Sequence, residues 1–190
     1  MRFLVASWFP NGDLLNVGVQ LSARDGPDNN LDAESFIEPD AIGQHRHIVY
    51  EGINEEPPQM APNGASIVFE AERGPFDSTP PIGIEVFDIA TMATRMLTHG
   101  DGQFVQAAWS PDGLQTAYAC GKVNNKELQI CVMDADGSNS RTVMLGAGSH
   151  QWPSWSPDGR HIAYQTDRFG ADFRIAVMNA DGTGVQMLTE

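Results

Sequence analysis

The sequence predicts an all-β chain of about four four-stranded antiparallel units, and two recurring patterns carry that prediction. A Pro-Asx-Gly turn triplet occurs as Pro10-Asn11-Gly12, Pro62-Asn63-Gly64, Pro111-Asp112-Gly113 and Pro157-Asp158-Gly159, with successive prolines 52, 49 and 46 residues apart. The second pattern stays in phase with the first. Strand-like IEVFD (84–88), ICVMD (130–134) and IAVMN (175–179) are each followed nine residues later by Leu97, Val143 or Leu188. The first unit fits more loosely, with Asp40 and Val49 at the same interval.

Each element follows from these positions. Proline presets φ at the second place of a turn, Asp or Asn tolerates the next, and glycine accepts positive φ, so each triplet joins two antiparallel strands. A large side chain stands two residues before each proline: Trp8, Met60, Trp109 and Trp155. The latter two tryptophans are expected to be structural, packed beside the hairpin turn. After the turn come IVF (67–69), TAY (116–118) and IAY (162–164), short and apolar or β-branched, as strands buried between neighbouring sheets require. DADG (134–137) and NADG (179–182) then supply an Asp-Gly hairpin turn between the third and fourth strands.

One such sheet cannot bury both its faces. Stacking the sheets radially does, and a period near 40–50 residues is the mark of a β-propeller. The chain therefore reads as a single propeller region over residues 1–190, or part of a larger propeller, with blades at 1–52, 53–101, 102–147 and 148–190.

Composition narrows the function. The 190 residues are 41% apolar, enough for a sizeable core, and no apolar stretch approaches the roughly 20 residues of a membrane span. MRFLVASWF (1–9) is too short for a secretory signal with its cleavage site, so no signal peptide is expected in this chain. The formal charge is −14, from 25 acidic against 11 basic residues, and the only lysines are Lys122 and Lys126. Without clustered positive charge to displace counterions, nucleic acid is excluded as a partner. The acidity reads first as a solvated surface and second as a docking face for a basic partner.

No catalytic or metal residues emerge, and no cofactor is expected. The sequence lacks a Gly-x-Ser-x-Gly elbow, a His-Glu-x-x-His helix motif and a phosphate-binding loop ending in Lys. Ser110 and Ser156 recur with the turn, which marks them as turn builders. His45 and His47 would share one face of a strand, but two ligands do not make a metal site. Asp167 and Asp172 around a glycine could serve a hard cation, yet the matching loop GKVNNKE (121–127) carries lysines, so a polar hairpin loop is the better reading. Cys120 and Cys131 flank that loop on adjacent strands, where a cross-strand disulfide and two buried thiols are both open.

WPSWSPDGRHIAYQTDRFGADFRIAVMNADGTGVQMLT (152–189) resembles the repeat of the TolB-type β-propellers: a Trp-Ser-Pro-Asp-Gly turn, an Ile-Ala-Phe/Tyr strand, a Ser/Thr-Asp-Arg loop, an Ala-Val-Met strand and an Asp-Gly turn before Leu-Thr. The likeness is close over 148–190, weakens towards the start, and departs in FPNGDLLNV (9–17) and APNG (61–64). It implies a non-catalytic scaffold for protein–protein interaction and a periplasmic or extracellular location. Since such repeats also occur beside serine peptidases, in polysaccharide lyases and in carbohydrate-binding proteins, those readings stand as alternatives. His150-Gln151 is similar to a His and Gln metal pair of the lyases, although here it sits where an ordinary repeat begins.

A propeller presents its second-to-third strand loops and its blade linkers on one face, and its compact turns on the other. Binding belongs on the variable face. Its segments are 72–83, 121–127 and 166–173, with 99–106 and 146–153 near the axis. Arg73, Phe76, Phe104, Trp152, Arg168 and Phe169 are the aromatic and arginine anchors predicted for a partner there, a protein first and a carbohydrate second. The end units leave a homodimer or a larger propeller as the expected assembly.

Overall fold

The computed structural model describes residues 2–8, 14–23, 31–39, 46–47, 58–72, 82–91, 93–123, 127–168, 170 and 172–189; before residue 58, and at Glu72, it describes the backbone alone. Among these residues the chain is all β. Sheet 1 holds β1 (Arg2–Trp8), β2 (Leu14–Ala23), β3 (Leu31–Pro39) and β4 (Arg46–His47). Sheet 2 holds β5 (Gln59–Met60), β6 (Ser66–Glu72), β7 (Ile82–Asp88) and β8 (Ala93–Met96). Sheet 3 holds β9 (Gly102–Trp109), β10 (Gln115–Lys122), β11 (Gln129–Asp134) and β12 (Arg141–Met144). Sheet 4 holds β13 (His150–Trp155), β14 (His161–Thr166), β15 (Arg174–Asn179) and β16 (Gln186–Met187). Every pairing is antiparallel between chain neighbours, and the first strands meet in sequence, β1 with β5, β5 with β9 and β9 with β13. This is the arrangement of propeller blades.

The turn chemistry is local and repeated. Gly64, Gly113 and Gly159 have φ of 69°, 71° and 69°, and Gly113 and Gly159 donate their N–H to Ser110 and Ser156 at 2.9 Å. The serine hydroxyls donate to Asp112 and Asp158 at 2.6 Å and accept from the N–H of Gln115 and His161. Both carboxyls are held below the usual carboxylate range, first by that hydroxyl and then by a backbone N–H. The serines thus spend their hydroxyls closing hairpins. The Pro10 triplet lies outside the described residues.

The core lies between sheets, and β10 shows why. Tyr118, Cys120, Cys131 and Met133 join Val68, Ile84, Val86 and Leu97 of sheet 2. Ala117, Ile130 and Val132, on the opposite face, join Ile162, Tyr164, Ala176 and Met178 of sheet 4. Adjacent residues of one strand therefore serve different neighbours, and Ala117 and Tyr118 are both fully buried. Trp109 and Trp155 are half-buried against these two cores, and the Trp155 indole N–H donates to the Ala108 carbonyl of sheet 3 at 3.2 Å. The Asp-Gly turns also cross between sheets. A Cβ on Gly137 would stand 2.7 Å from the Leu97 carbonyl oxygen, and one on Gly182 would overlap the Val143 carbonyl. Glycine is required there both by close approach and by φ of 89° and 92°.

One expectation is corrected and one open alternative is decided. Segments 99–106 and 146–153, read as loops, are in good part strand, because β9 begins at Gly102 and β13 at His150. Pairing of Gly102 with Lys122 and of His150 with Thr166 carries each ladder further than composition suggests. The cysteines, open in the sequence, form a disulfide with Cα atoms 5.9 Å apart. Cys131 faces Tyr118 and Cys120 faces Gln129, so the bridge crosses β10 and β11 diagonally.

Two stability outcomes follow. Replacing Trp155 with Ala should cost about 3 kcal/mol in urea unfolding, and Trp155→Phe about 1 kcal/mol for the lost hydrogen bond; equal midpoints for wild type and Trp155→Ala would show that the indole is not structural. The Cys120→Ser/Cys131→Ser chain should lose about 3 kcal/mol for a loop of this length, with the same loss when wild type is unfolded under reducing conditions.

Candidate functional site

The linker between sheets 3 and 4 is built into a three-way junction. The Gln129 side chain accepts from the Gly146 N–H at 2.9 Å, Ser149 Oγ accepts from the Leu128 N–H at 3.1 Å, and the His150 N–H donates to the Leu128 carbonyl at 2.7 Å. From the other side Asp167 Oδ1 accepts from the Ser149 N–H at 2.6 Å. A Cβ on Gly148 would come within 2.5 Å of that same oxygen. Asp167, read from the sequence as part of a polar hairpin loop in preference to a cation site, is thus a structural acceptor joining two loops. Among the described residues, no three His, Cys, Asp or Glu side chains gather into a metal-holding group.

At the first strands the geometry is less ordinary. β9 and β13 each carry a bulge, and the residue in it, Gln106 or Trp152, has positive φ, 60° and 55°. Such a conformation costs a side-chain-bearing residue about 1–2 kcal/mol and persists where its surroundings fix it. Here the preceding sheet does so. Buried Glu70 of β6 accepts from the Gln106 N–H, and Gln106 Oε1 accepts from the Trp152 N–H at 2.9 Å. Trp152 is 43% exposed beside Gln59, Glu70 and Gln106, which line a cavity of about 40 Å³ with it. That volume holds a water or the tip of a side chain, and is far below the 300–1,000 Å³ of a small-molecule pocket.

The predicted anchors fare differently. Trp152 is exposed and oriented by its bulge, and Arg168 is exposed, its guanidinium near Gly146. Phe104 is placed elsewhere than expected: it belongs to β9, is half-buried against the core of sheets 2 and 3, and meets Tyr118 edge-on at 6.2 Å. Arg73, Phe76, Phe169 and His45 lie outside the described residues, while His47 falls in β4. Sequence reasoning missed Leu145 and Phe173, 79% and 48% exposed at the two loops of the junction. It also missed Glu70, whose signal was available: a carboxylate inside IVFEAE where the matching strands carry Ala119 and Gln165.

His150, expected in a loop, is a buried strand residue. Neither ring nitrogen has a hydrogen-bond partner, and the ring stands edge-on to Tyr164 at 5.7 Å. Burial, and secondarily the charge of Arg168, lowers its pKa below the ordinary 6.5, opposed by Asp167 and Glu127. The imidazole is folded in as a neutral group. On the turn face a wider groove of about 530 Å³ runs past Asp112, Leu114, Asp134 and Asp136. Its carboxylates are spent on their own turns, Asp112 on Ser110 and Leu114, Asp134 on Asn139, and Asp136 on Ser138.

Because the unfolded chain takes up a proton on His150 below pH 6.5 that the folded chain resists, stability should fall as pH drops from about 7 towards 5. Denaturant midpoints measured across that window should slope less steeply in His150→Phe than in wild type; parallel slopes would show that His150 is not the group responsible.

The family model described as the TolB beta propeller domain matches residues 75–190. Among solved structures, TolB from Acinetobacter baumannii is similar with a TM-score of 0.69 and 18% identity, over 100% of this chain and 43% of that one. A putative TolB from Agrobacterium tumefaciens gives 0.66 and 20%, over 99% and 80%. A puromycin hydrolase gives 0.70 and 18%, over 98% of this chain and 30% of that one. At these identities the likeness is one of fold, and the chain spans less than half of two of the three. No curated protein matches it in sequence.

Proposed function

We propose that this chain, which belongs to the TolB β-propeller domain family, is a non-catalytic binding module whose partner is another protein, engaged on the loop face of sheets 3 and 4. Trp152 carries the reading. A large aromatic left 43% exposed, in a strained backbone conformation that the preceding sheet holds in place, is an anchor of the kind that dominates protein interfaces. Leu145, Phe173 and Arg168 add apolar area and a planar cation at the adjoining loops. The small cavity beside Trp152 suits a side chain of a partner better than a free substrate.

The module works as a scaffold, and the Cys120–Cys131 disulfide supports a periplasmic or extracellular setting, since such bridges persist in oxidising compartments. A second reading is favoured by the puromycin hydrolase likeness, of which this chain matches 30%: a propeller domain attached to a peptidase. In that case the same face meets the enzyme domain.

Affinity capture from an envelope extract, followed by titration of the captured protein, tests the module. Trp152→Ala should weaken binding by about tenfold or more while leaving the melting temperature near wild type, and Arg168→Ala should weaken it less. Equal affinity for wild type and Trp152→Ala would remove the proposed face, and turnover of a peptide or polyuronate by the isolated chain would remove the non-catalytic reading.

A further inference from the structure

Glu70 carries a charge that its place in the bulge does not require. It is 5% exposed in β6, where the matching residues of sheets 3 and 4 are Ala119 and Gln165. Its contact with β9 is acceptance of the Gln106 N–H, a task that the neutral amide oxygen of a glutamine performs as well. Burying a carboxylate costs far more than burying an amide. What the charge adds is a negative potential inside the cavity of about 40 Å³ that Glu70 lines with Gln59, Val68, Gln106, Ala107 and Trp152. Glu70 is the charged group of that lining, and among the described residues no Lys, Arg or His shares it.

Three sheets build this cavity, and Gln106 joins them. Its N–H donates to Glu70 of sheet 2, and its Oε1 accepts from the Trp152 N–H of sheet 4 at 2.9 Å. The carboxylate and the backbone that carries the indole are thus fixed before a ligand arrives, which removes an ordering cost from binding. A carboxylate shielded from water attracts a positive charge by Coulomb forces at reduced dielectric, and an indole attracts one through its π face. The volume suits the tip of a side chain, and the formal charge of −14 draws basic partners towards the chain. We propose that the cavity between Glu70, Gln106 and Trp152 receives the cationic head of a lysine or arginine presented by the protein that engages the loop face. The inference rests on the binding role proposed for that face and names the chemistry of the partner's anchor.

Short peptides test the pocket without the partner. Binding of acetyl-Gly-Lys-Gly-amide and acetyl-Gly-Arg-Gly-amide, followed through the Trp152 indole N–H resonance, should be about tenfold tighter for the better of the two than for the matching acetyl-lysine and citrulline peptides, which keep the stem and lose the charge. Whichever charged peptide binds more tightly identifies the head group. Glu70→Gln, which retains an acceptor for the Gln106 N–H, should keep the wild-type melting temperature and abolish the preference for charge. No shift with either charged peptide, or equal binding of charged and neutral peptides to wild type, overturns the proposal without recourse to a variant. So does a charge preference that survives in Glu70→Gln, or displacement of the charged peptides by calcium ions at lower concentration, which would make the cavity a metal site. The captured partner separates this inference from the face on which it rests. A loss of affinity in Trp152→Ala without one in Glu70→Gln removes the cation pocket and leaves the face, whereas equal affinity in wild type and both variants removes both.

Discussion

The constraint on which the structure depends is that no sheet here can bury its own two faces. β10 makes the point with neighbouring residues, Ala117 facing sheet 4 and Tyr118 facing sheet 2, both removed from water. Burial of either side chain requires an adjacent sheet, so the folding unit is the interface and not the blade. The other features of the repeat serve that interface. Turn glycines let one hairpin approach the preceding fourth strand, the tryptophans before the first turns of sheets 3 and 4 pack against the cores, and Arg95 of β8 donates to the Ala135 and Asp136 carbonyls of the next sheet.

Stacking also explains how the chain can hold an unfavourable backbone at its first strands. A bulge frees an N–H that the ladder no longer uses, and an unpaired buried amide is costly. The relay from Glu70 to the Gln106 N–H, and from Gln106 Oε1 to the Trp152 N–H, supplies the missing acceptors from the sheet before. Indole offers no comparable acceptor, so the relay stops at Trp152. That residue is left displayed, which links packing between sheets to the one exposed aromatic that the described loop face orients by its backbone.

The polar groups that might have signalled chemistry are used to build. Ser110 and Ser156 close turns, Asp167 ties a linker to a loop, and His150 is enclosed as a neutral ring between the junction and Tyr164. The disulfide lies within the interface of sheets 2 and 3, where it constrains the strand pair that faces both neighbours. Together these features describe a rigid frame with loops held at fixed positions, which is what recognition by a surface requires.

The sequence by itself determined the repeat, the turns and the all-β class, because Pro-Asx-Gly geometry and strand alternation are properties of a few adjacent residues. The structural role of Trp155 was legible for the same reason, recurring in step with the turn. Tertiary structure alone decided the rest. Phe104 and Trp152 are both aromatic residues near a linker, and nothing local separates the one turned onto Tyr118 from the one left in solvent. Their fates were set by the bulges and by Gln106, a residue 46 positions from the backbone it holds. Leu145 and Phe173 likewise became visible as exposed only once the junction was assembled. The cysteine pair needed the β10–β11 register, since spacing admits a bridge but only pairing across strands brings the two Cα atoms to 5.9 Å. Contacts within a turn are written in sequence order, whereas contacts between sheets depend on how separate repeats dock, and a single repeat does not encode that.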